Sequence, residues 1–136
     1  MKKITSFLLA CLTAVLMCTS SISALDIQPR WDNTGCVVLA HTRIGTTAHV
    51  NIDLSIDEGA TLRNVAIRLI AMQENPSRVV KTWTDPEWTI DYETEYNFYD
   101  TFSPVTEGKI YRLSLQCEVW RNGVKDQISL YKDVQY

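Results

Sequence analysis

Apolar and polar side chains alternate along much of the chain with a period of two residues. In the clearest window, Thr47–Ile56, every second residue is apolar and the residues between them are polar. Successive side chains of a strand point to opposite sides, so this pattern predicts a β-strand with one buried face. The window 109–120 repeats the pattern and places Cys117 on the buried face.

Five further segments have the apolar content and the turn boundaries of strands. They are 36–43, 64–72, 78–83, 88–98 and 128–134. Asn122-Gly123 precedes the last predicted strand and is a strong signal for a two-residue hairpin turn. No segment with a helical period lies between strands, which excludes a βαβ arrangement. About seven strands in one short chain predict an all-β fold, a single antiparallel two-sheet sandwich of the immunoglobulin-like type.

The predicted strand 88–98 separates aromatic from acidic side chains. Its even positions are mostly aromatic, and its odd positions include Asp91, Glu93 and Glu95. On one strand these two sets would lie on opposite faces. A surface that combines rings and carboxylates is therefore expected only where the alternation ends, at the turn 84–87 and at Tyr99-Asp100.

The start of the chain has the organisation of a secretory signal peptide. Two lysines form a short basic region, an apolar run follows, and small residues lead up to Ala24. We expect cleavage after Ala24, which divides the chain into a signal peptide, 1–24, and a secreted β-sandwich domain, 25–136. The apolar run, about fifteen residues, is short for a membrane span, which needs roughly 18. A membrane anchor and a lipid-attachment site at Cys11 are the alternatives.

The net charge argues against polyanionic partners. Without the signal peptide, eleven Lys and Arg residues face sixteen Asp and Glu residues, a net charge of −5. Nucleic acids and anionic membrane surfaces bind clustered positive charge, so neither is expected as a partner of the mature chain.

Two of the four cysteines, Cys36 and Cys117, lie outside the signal peptide. An even pair in an exported chain predicts one disulfide, and two free buried thiols are the alternative. His41 and His49 have no metal-ligand spacing relative to these cysteines, so no metal site is expected.

The segment 82–100 is the strongest candidate for ligand binding. Its nineteen residues contain six aromatic side chains and six carboxylates, without one Lys or Arg. Exposed rings beside carboxylates suit stacking on a sugar and hydrogen bonding to its hydroxyls, whereas a core position for the rings is the competing interpretation. The candidate ligand-binding residues are Trp83, Trp88, Tyr99 and Asp100.

No catalytic residue is predicted. His41 and His49 lie on regular predicted strands and have no nucleophile elbow beside them. The carboxylates of the segment 82–100 are not placed across a cleft, as the paired acids of a glycosidase must be. We therefore expect a protein that is not an enzyme and that holds no cofactor.

A Lys-x-Trp strand, a Gly-Lys-Ile-Tyr-Arg-Leu strand and an Asn-Gly hairpin follow one another in the second half of the chain. The matching positions are Lys81, Trp83, Gly108, Tyr111, Arg112, Leu113, Asn122 and Gly123. With these motifs the chain resembles a loose group of small secreted β-sandwich proteins of Gram-positive anaerobic bacteria. The resemblance implies an exported sandwich and carries over no functional residue.

Export, a sandwich fold and the aromatic, acidic segment together favour a secreted non-enzymatic binding or surface-associated module, with an extracellular glycan or protein as its ligand. The alternative is a structural, assembly or inhibitory secreted protein that acts through an exposed strand edge, such as that of the last strand. The oligomeric state is left open by these patterns.

Overall fold

The computed structural model describes residues 31–136. The predicted signal peptide, 1–24, lies outside the described residues, so its cleavage and the export of the chain stay predictions. Among residues 31–136 there is no helix with the length and hydropathy that crossing a membrane requires.

Eight β-strands make up the described part of the chain. They are β1 Thr34–Ile44, β2 Thr47–Ile56, β3 Thr61–Ala71, β4 Arg78–Thr84, β5 Thr89–Asp91, β6 Glu95–Phe102, β7 Ile110–Arg121 and β8 Val124–Gln135. They form two four-stranded antiparallel sheets, a first sheet with the order β1-β2-β6-β5 and a second with the order β4-β3-β7-β8. The prediction of an all-β fold with two antiparallel sheets is confirmed.

The core lies between the two sheets, and the period of two positions its side chains. In β2 every second side chain is buried, from Ala48 to Ile56, as the sequence predicts. The fully buried core side chains include Val50, Ile52, Leu54, Ile67, Leu69, Leu113, Leu115, Val119 and Ile128. Each fully buried aliphatic side chain of this size contributes about 1.5–3 kcal/mol of transfer free energy, which makes the interface between the sheets the main source of stability.

The hairpin between β7 and β8 turns at Asn122 and Gly123, as predicted. Arg121 pairs with Val124 across the two-residue turn. Both turn residues have positive φ, 50° and 78°, a conformation that Asn and Gly adopt more readily than other residues.

The prediction of one strand over 88–98 is wrong, and this error explains why eight strands are present where about seven were expected. The chain reverses at Tyr92 and Glu93, which have positive φ of 53° and 62°. β5 then pairs with β6, so that Asp91 lies opposite Glu95. Neither Tyr nor Glu is typical of a turn with positive φ, and the apolar–polar alternation runs through the reversal without a break. Tyr92 is therefore 92% exposed at the tip of a hairpin.

The buried carboxyl group of Asp126 joins the start of β1 to β8. The residue is 6% exposed, and its oxygens accept hydrogen bonds from the main-chain N–H groups of Asp32, at 3.0 Å, and Asn33, at 2.7 Å. The Thr34 hydroxyl donates a third bond at 2.9 Å. Because β1 and β8 are edge strands of different sheets, these bonds connect the two sheets at one side of the sandwich.

His41 makes a second connection between β1 and β8. Its Nε2 lies 2.9 Å from the carbonyl oxygen of Lys132, which can only accept, so Nε2 carries the hydrogen and donates. Nδ1 of the neutral ring is then the acceptor for the Tyr136 hydroxyl at 2.6 Å. The Tyr136 ring stacks on Tyr111, with 4.7 Å between ring centroids. Burial lowers the pKa of His41.

The predicted disulfide between Cys36 and Cys117 is wrong, because both thiols are free. The pairing of β1 with β2 shifts between Thr34 and Cys36, and this irregularity leaves the Cys36 side chain exposed to solvent. Cys117 faces the core from β7, and burial raises the pKa of its thiol to about 12. The two sulfur atoms therefore point into different environments.

We expect Asp126→Ala to lower the free energy of unfolding by about 3 kcal/mol, since three hydrogen bonds to a buried carboxyl group are lost at roughly 1 kcal/mol each. Urea denaturation followed by tryptophan fluorescence measures the change. Asp91→Ala, in an exposed position on β5, is the matched control and should change the value by less than about 0.5 kcal/mol. Equal effects of the two substitutions would contradict the structural role of Asp126.

The lowered pKa of His41 makes stability depend on pH. Below about pH 6.5, the ordinary value of a histidine, the unfolded chain binds a proton that the folded chain does not. The free energy of unfolding should therefore fall as the pH drops from 7 to 5, by at most about 1.4 kcal/mol per pH unit for this one group. His41→Gln should remove this slope, whereas His49→Gln should retain it, and urea titrations at closely spaced pH values test both.

Candidate functional site

The four candidate ligand-binding residues do not form one site. Trp83 and Asp100 meet at the side of the sandwich opposite β1 and β8, Trp88 lines a cleft, and Tyr99 lies on the outer face of the first sheet. Trp83 and Asp100 bond to each other, whereas Trp88 and Tyr99 each line a separate cleft.

Trp83 and Asp100 join the two sheets. The indole N–H of Trp83, on β4, donates a hydrogen bond of 2.6 Å to the Asp100 carboxylate on β6. The ring packs edge-on against Phe98 with 5.7 Å between centroids. Trp83 is only 9% exposed, so the core interpretation of this ring is the one that the structure supports. These two residues close the second open side of the sandwich and offer no platform for a ligand.

Trp88 forms a wall of a cleft of about 200 Å³ that lies between the start of β3 and the connection from β4 to β5. The cleft is lined by Thr61, Leu62, Arg63, Val65, Asp85, Pro86, Trp88 and Tyr96. The Trp88 ring meets Tyr96 and Phe98 edge-on, at centroid distances of 6.0 and 5.9 Å. These contacts hold the indole in place, so the aromatic wall exists before any ligand arrives. We call this site the Trp88 cleft.

The backbone departs from regular geometry on both sides of the Trp88 cleft. The pairing of β3 with β7 is interrupted between Arg63 and Ala66, and Asn64 within the interruption has a φ of 53°. Asp85, which faces it, has a φ of 45° and donates its N–H to the Val65 carbonyl at 3.0 Å. Bulges and residues with positive φ cost free energy and are frequent beside functional sites.

Two opposite charges lie at the rim of the Trp88 cleft. Arg63 and Asp85 both line it and are both exposed, and the Arg63 guanidinium carbon lies 5.7 Å from the centroid of the Trp120 ring. Sequence reasoning included Asp85 in the candidate turn 84–87 but missed Arg63. Arg63 lies more than twenty residues before Asp85 in the sequence and reaches the cleft at the bulge in β3. No local pattern in the sequence signals that these two residues are close in space.

A second cleft, of about 270 Å³, lies on the outer face of the first sheet. Its lining residues are Ala40, His41, Thr42, His49, Asn51 and Tyr99, and of these His41 turns its imidazole to the core side of the sheet. Nδ1 of His49 lies 2.6 Å from the Tyr99 hydroxyl. The two residues sit diagonally on neighbouring strands, since His49 pairs with Thr101 and Asn51 with Tyr99. Periodicity placed His49 on the polar face but could not bring Tyr99 to it.

The described residues do not assemble a metal centre. Within residues 31–136 no three His, Cys, Asp or Glu side chains are close enough together to hold a metal ion. His41 faces the core from β1, while His49 lies on the outer face of β2, so the two imidazoles are on opposite sides of one sheet.

No family model and no curated protein matches the chain. Among solved structures, the chain is similar to a crystal structure of superoxide reductase in the oxidized state, with 15% sequence identity and a TM-score of 0.44. The likeness covers 76% of this chain and 94% of the reductase chain.

The prediction of a non-enzymatic binding or surface-associated module with a glycan or protein ligand is at odds with this likeness to an enzyme. That prediction is therefore corrected, and so is its alternative, an assembly or inhibitory protein that acts through a strand edge. At this identity and TM-score the likeness assigns no activity to this chain.

We expect the hydrogen bond between Trp83 and Asp100 to be measurable as a coupling energy. Trp83→Phe, Asp100→Asn and the double variant form a cycle whose interaction term should be about 1–2 kcal/mol, as for a partly buried bond to a charged acceptor. Urea denaturation provides the three differences. Trp120→Phe with Glu118→Gln is the matched control, because the Trp120 indole donates to Glu118 on the outer face of the second sheet. An equal coupling in the control pair would count against a special role for the first pair.

Proposed function

We propose that the protein is an exported, immunoglobulin-like domain that takes up a small ring-bearing molecule in the Trp88 cleft. One observation carries the proposal: two unrelated segments, at Asn64 and at Asp85, both adopt positive φ where they flank the same aromatic-walled concavity. Structure that serves only packing has no need for both distortions at one place.

The immunoglobulin-like part of the proposal is supported by strand order. The first sheet, β1-β2-β6-β5, has the order of strands A, B, E and D of that fold, and β3, β7 and β8 have the order of C, F and G. The resemblance to small secreted sandwich proteins of Gram-positive anaerobic bacteria supports the same fold. Export is supported by the signal-peptide features of residues 1–24.

The size of the Trp88 cleft limits the ligand. A volume of about 200 Å³ corresponds to about seven water molecules at roughly 30 Å³ each. That space suits a single small ring with polar substituents. Trp88 and Tyr96 would contact the ring by stacking or edge-on packing, and Leu62 and Val65 would cover its apolar side.

The charges at the rim define the polar groups of the ligand. Asp85 would accept hydrogen bonds from an amine or hydroxyl group, and Arg63 would donate to a carboxylate, phosphate or carbonyl oxygen. A zwitterionic ring compound satisfies both residues at once. Asp85 has the one carboxyl group among the residues lining the cleft.

A screen of small cyclic amines, acids and zwitterions by protein-observed NMR tests the proposal. Ligands should shift the indole N–H signal of Trp88 and leave that of Trp120 nearly unchanged. Repeated one-dimensional spectra of each mixture show whether a bound compound is also converted. A screen without any compound that shifts Trp88 would contradict the proposal.

Substitution of the acid sharpens this test. Asp85→Asn removes the charge but keeps a residue type that tolerates a φ of 45°. We expect it to weaken the binding of an amine ligand by about tenfold or more, as for the loss of a hydrogen bond to a charged group. Asp91→Asn, also exposed but outside the cleft, is the control and should leave the dissociation constant unchanged. Equal affinities of the two variants would place the ligand elsewhere.

A further inference from the structure

The hydrogen bond between His49 and Tyr99 distinguishes Tyr99 from the other exposed tyrosines. Tyr99 is 64% exposed, Tyr131 is 63% exposed and Tyr92 is 92% exposed. Of these three, Tyr99 has an imidazole nitrogen 2.6 Å from its hydroxyl. The chain contains two histidines, and the other, His41, is buried with both ring nitrogens engaged by Tyr136 and Lys132.

The other two exposed tyrosines, Tyr92 and Tyr131, have different surroundings and serve as comparisons for Tyr99. Tyr92 lies at the tip of the β5–β6 hairpin and is almost fully solvated. The ring of Tyr131 lies under the guanidinium of Arg112, whose carbon is 3.8 Å from the ring centroid. A cation at that distance opposes the removal of an electron from the ring, because it destabilises the positive charge that develops there.

In the His49–Tyr99 pair the phenol is the donor. A phenolic O–H is much more acidic than the N–H of a neutral imidazole, so the stronger of the two possible hydrogen bonds runs from the Tyr99 hydroxyl to Nδ1. A base whose nitrogen lies about 2.6–3.2 Å from the oxygen that carries the proton satisfies the geometric requirement for general-base assistance. The contact distance of 2.6 Å meets this requirement.

The geometry points to Tyr99 as a site of one-electron oxidation, with His49 as the proton acceptor, and to a covalent tyrosine–tyrosine link between two copies of the chain as the product. The feature is independent of the Trp88 cleft and of the ligand proposed for it. A phenol that loses an electron without losing its proton forms a high-energy radical cation. A hydrogen-bonded base avoids that species, because electron and proton leave together.

The steps balance as follows. One electron passes from the Tyr99 phenol to a one-electron oxidant, a ferryl haem or a high-valent metal complex, which is reduced. The O–H bond breaks, its proton moves to Nδ1 of His49, and a neutral phenoxyl radical and an imidazolium remain. Two such radicals from two copies join through ring carbons next to the oxygen-bearing carbon. The hydrogens on those carbons move to the oxygens, which restores both phenols, and each imidazolium returns its proton to water.

Photo-oxidation of the folded protein with a ruthenium tris-bipyridyl sensitiser and persulfate tests this inference. At low oxidant dose, a covalent dimer with dityrosine fluorescence should form, and peptide mapping should place the link at Tyr99. Tyr99→Phe should abolish most of the dimer, whereas Tyr92→Phe should leave it nearly unchanged. A link found mainly at Tyr92, the more exposed residue, would overturn the inference, because exposure alone would then explain the reaction.

The role of His49 has a separate readout. His49→Gln retains a hydrogen-bonding side chain of similar length but removes the base. We expect the rate of Tyr99 oxidation to fall by about tenfold, equivalent to about 1.4 kcal/mol in the barrier. In the unsubstituted protein the rate should also be lower in D2O than in H2O. Loss of the isotope effect in His49→Gln supports proton transfer to His49. An unchanged oxidation rate in His49→Gln, with a normal melting temperature, overturns the role of His49.

Discussion

The two sheets of a sandwich share no backbone hydrogen bonds, and the rest of this structure depends on how side chains join them. Packing of the apolar faces of β2, β3, β7 and their neighbours supplies most of the driving force, but it is non-directional. The position of one sheet relative to the other is set by individual polar contacts at the two sides of the sandwich. Asp126 and His41 connect β1 to β8, and Trp83 connects β4 to Asp100 on β6.

The Trp88 cleft is a consequence of the same arrangement. The chain must cross from the second sheet to the first between β4 and β5, and residues 85–88 make this crossing beside the bulge in β3. Trp88 fills part of the space that opens there, and Arg63 and Asp85 remain at the rim. The concavity thus lies beside the crossing of the chain from one sheet to the other.

Neighbouring residues on β6 serve different purposes because a strand turns successive side chains to opposite faces. Phe98 packs in the core, Tyr99 meets His49 on the outer face, and Asp100 returns inward to Trp83. Sequence reasoning selected Tyr99 and Asp100 as one candidate site at the end of an acidic, aromatic segment. The pleat separates them, so the composition of the segment was a poor guide to any single surface.

The buried positions of β2 and β7 followed from periodicity, and the Asn122-Gly123 turn followed from its dipeptide, because each depends on neighbours within one strand or hairpin. The two antiparallel sheets followed from the number of predicted strands and from the lack of a helical period between them. The hairpin at Tyr92-Glu93 escaped the same reasoning, since its residues lack the usual turn preferences and the alternation continues through it. The contacts of Trp83 with Asp100 and of His49 with Tyr99, and the placement of Arg63 and Asp85 at one cleft, were decided only by tertiary structure. Each depends on strand order, register and a bulge, which are set by the packing of the whole chain and not by residues adjacent in sequence.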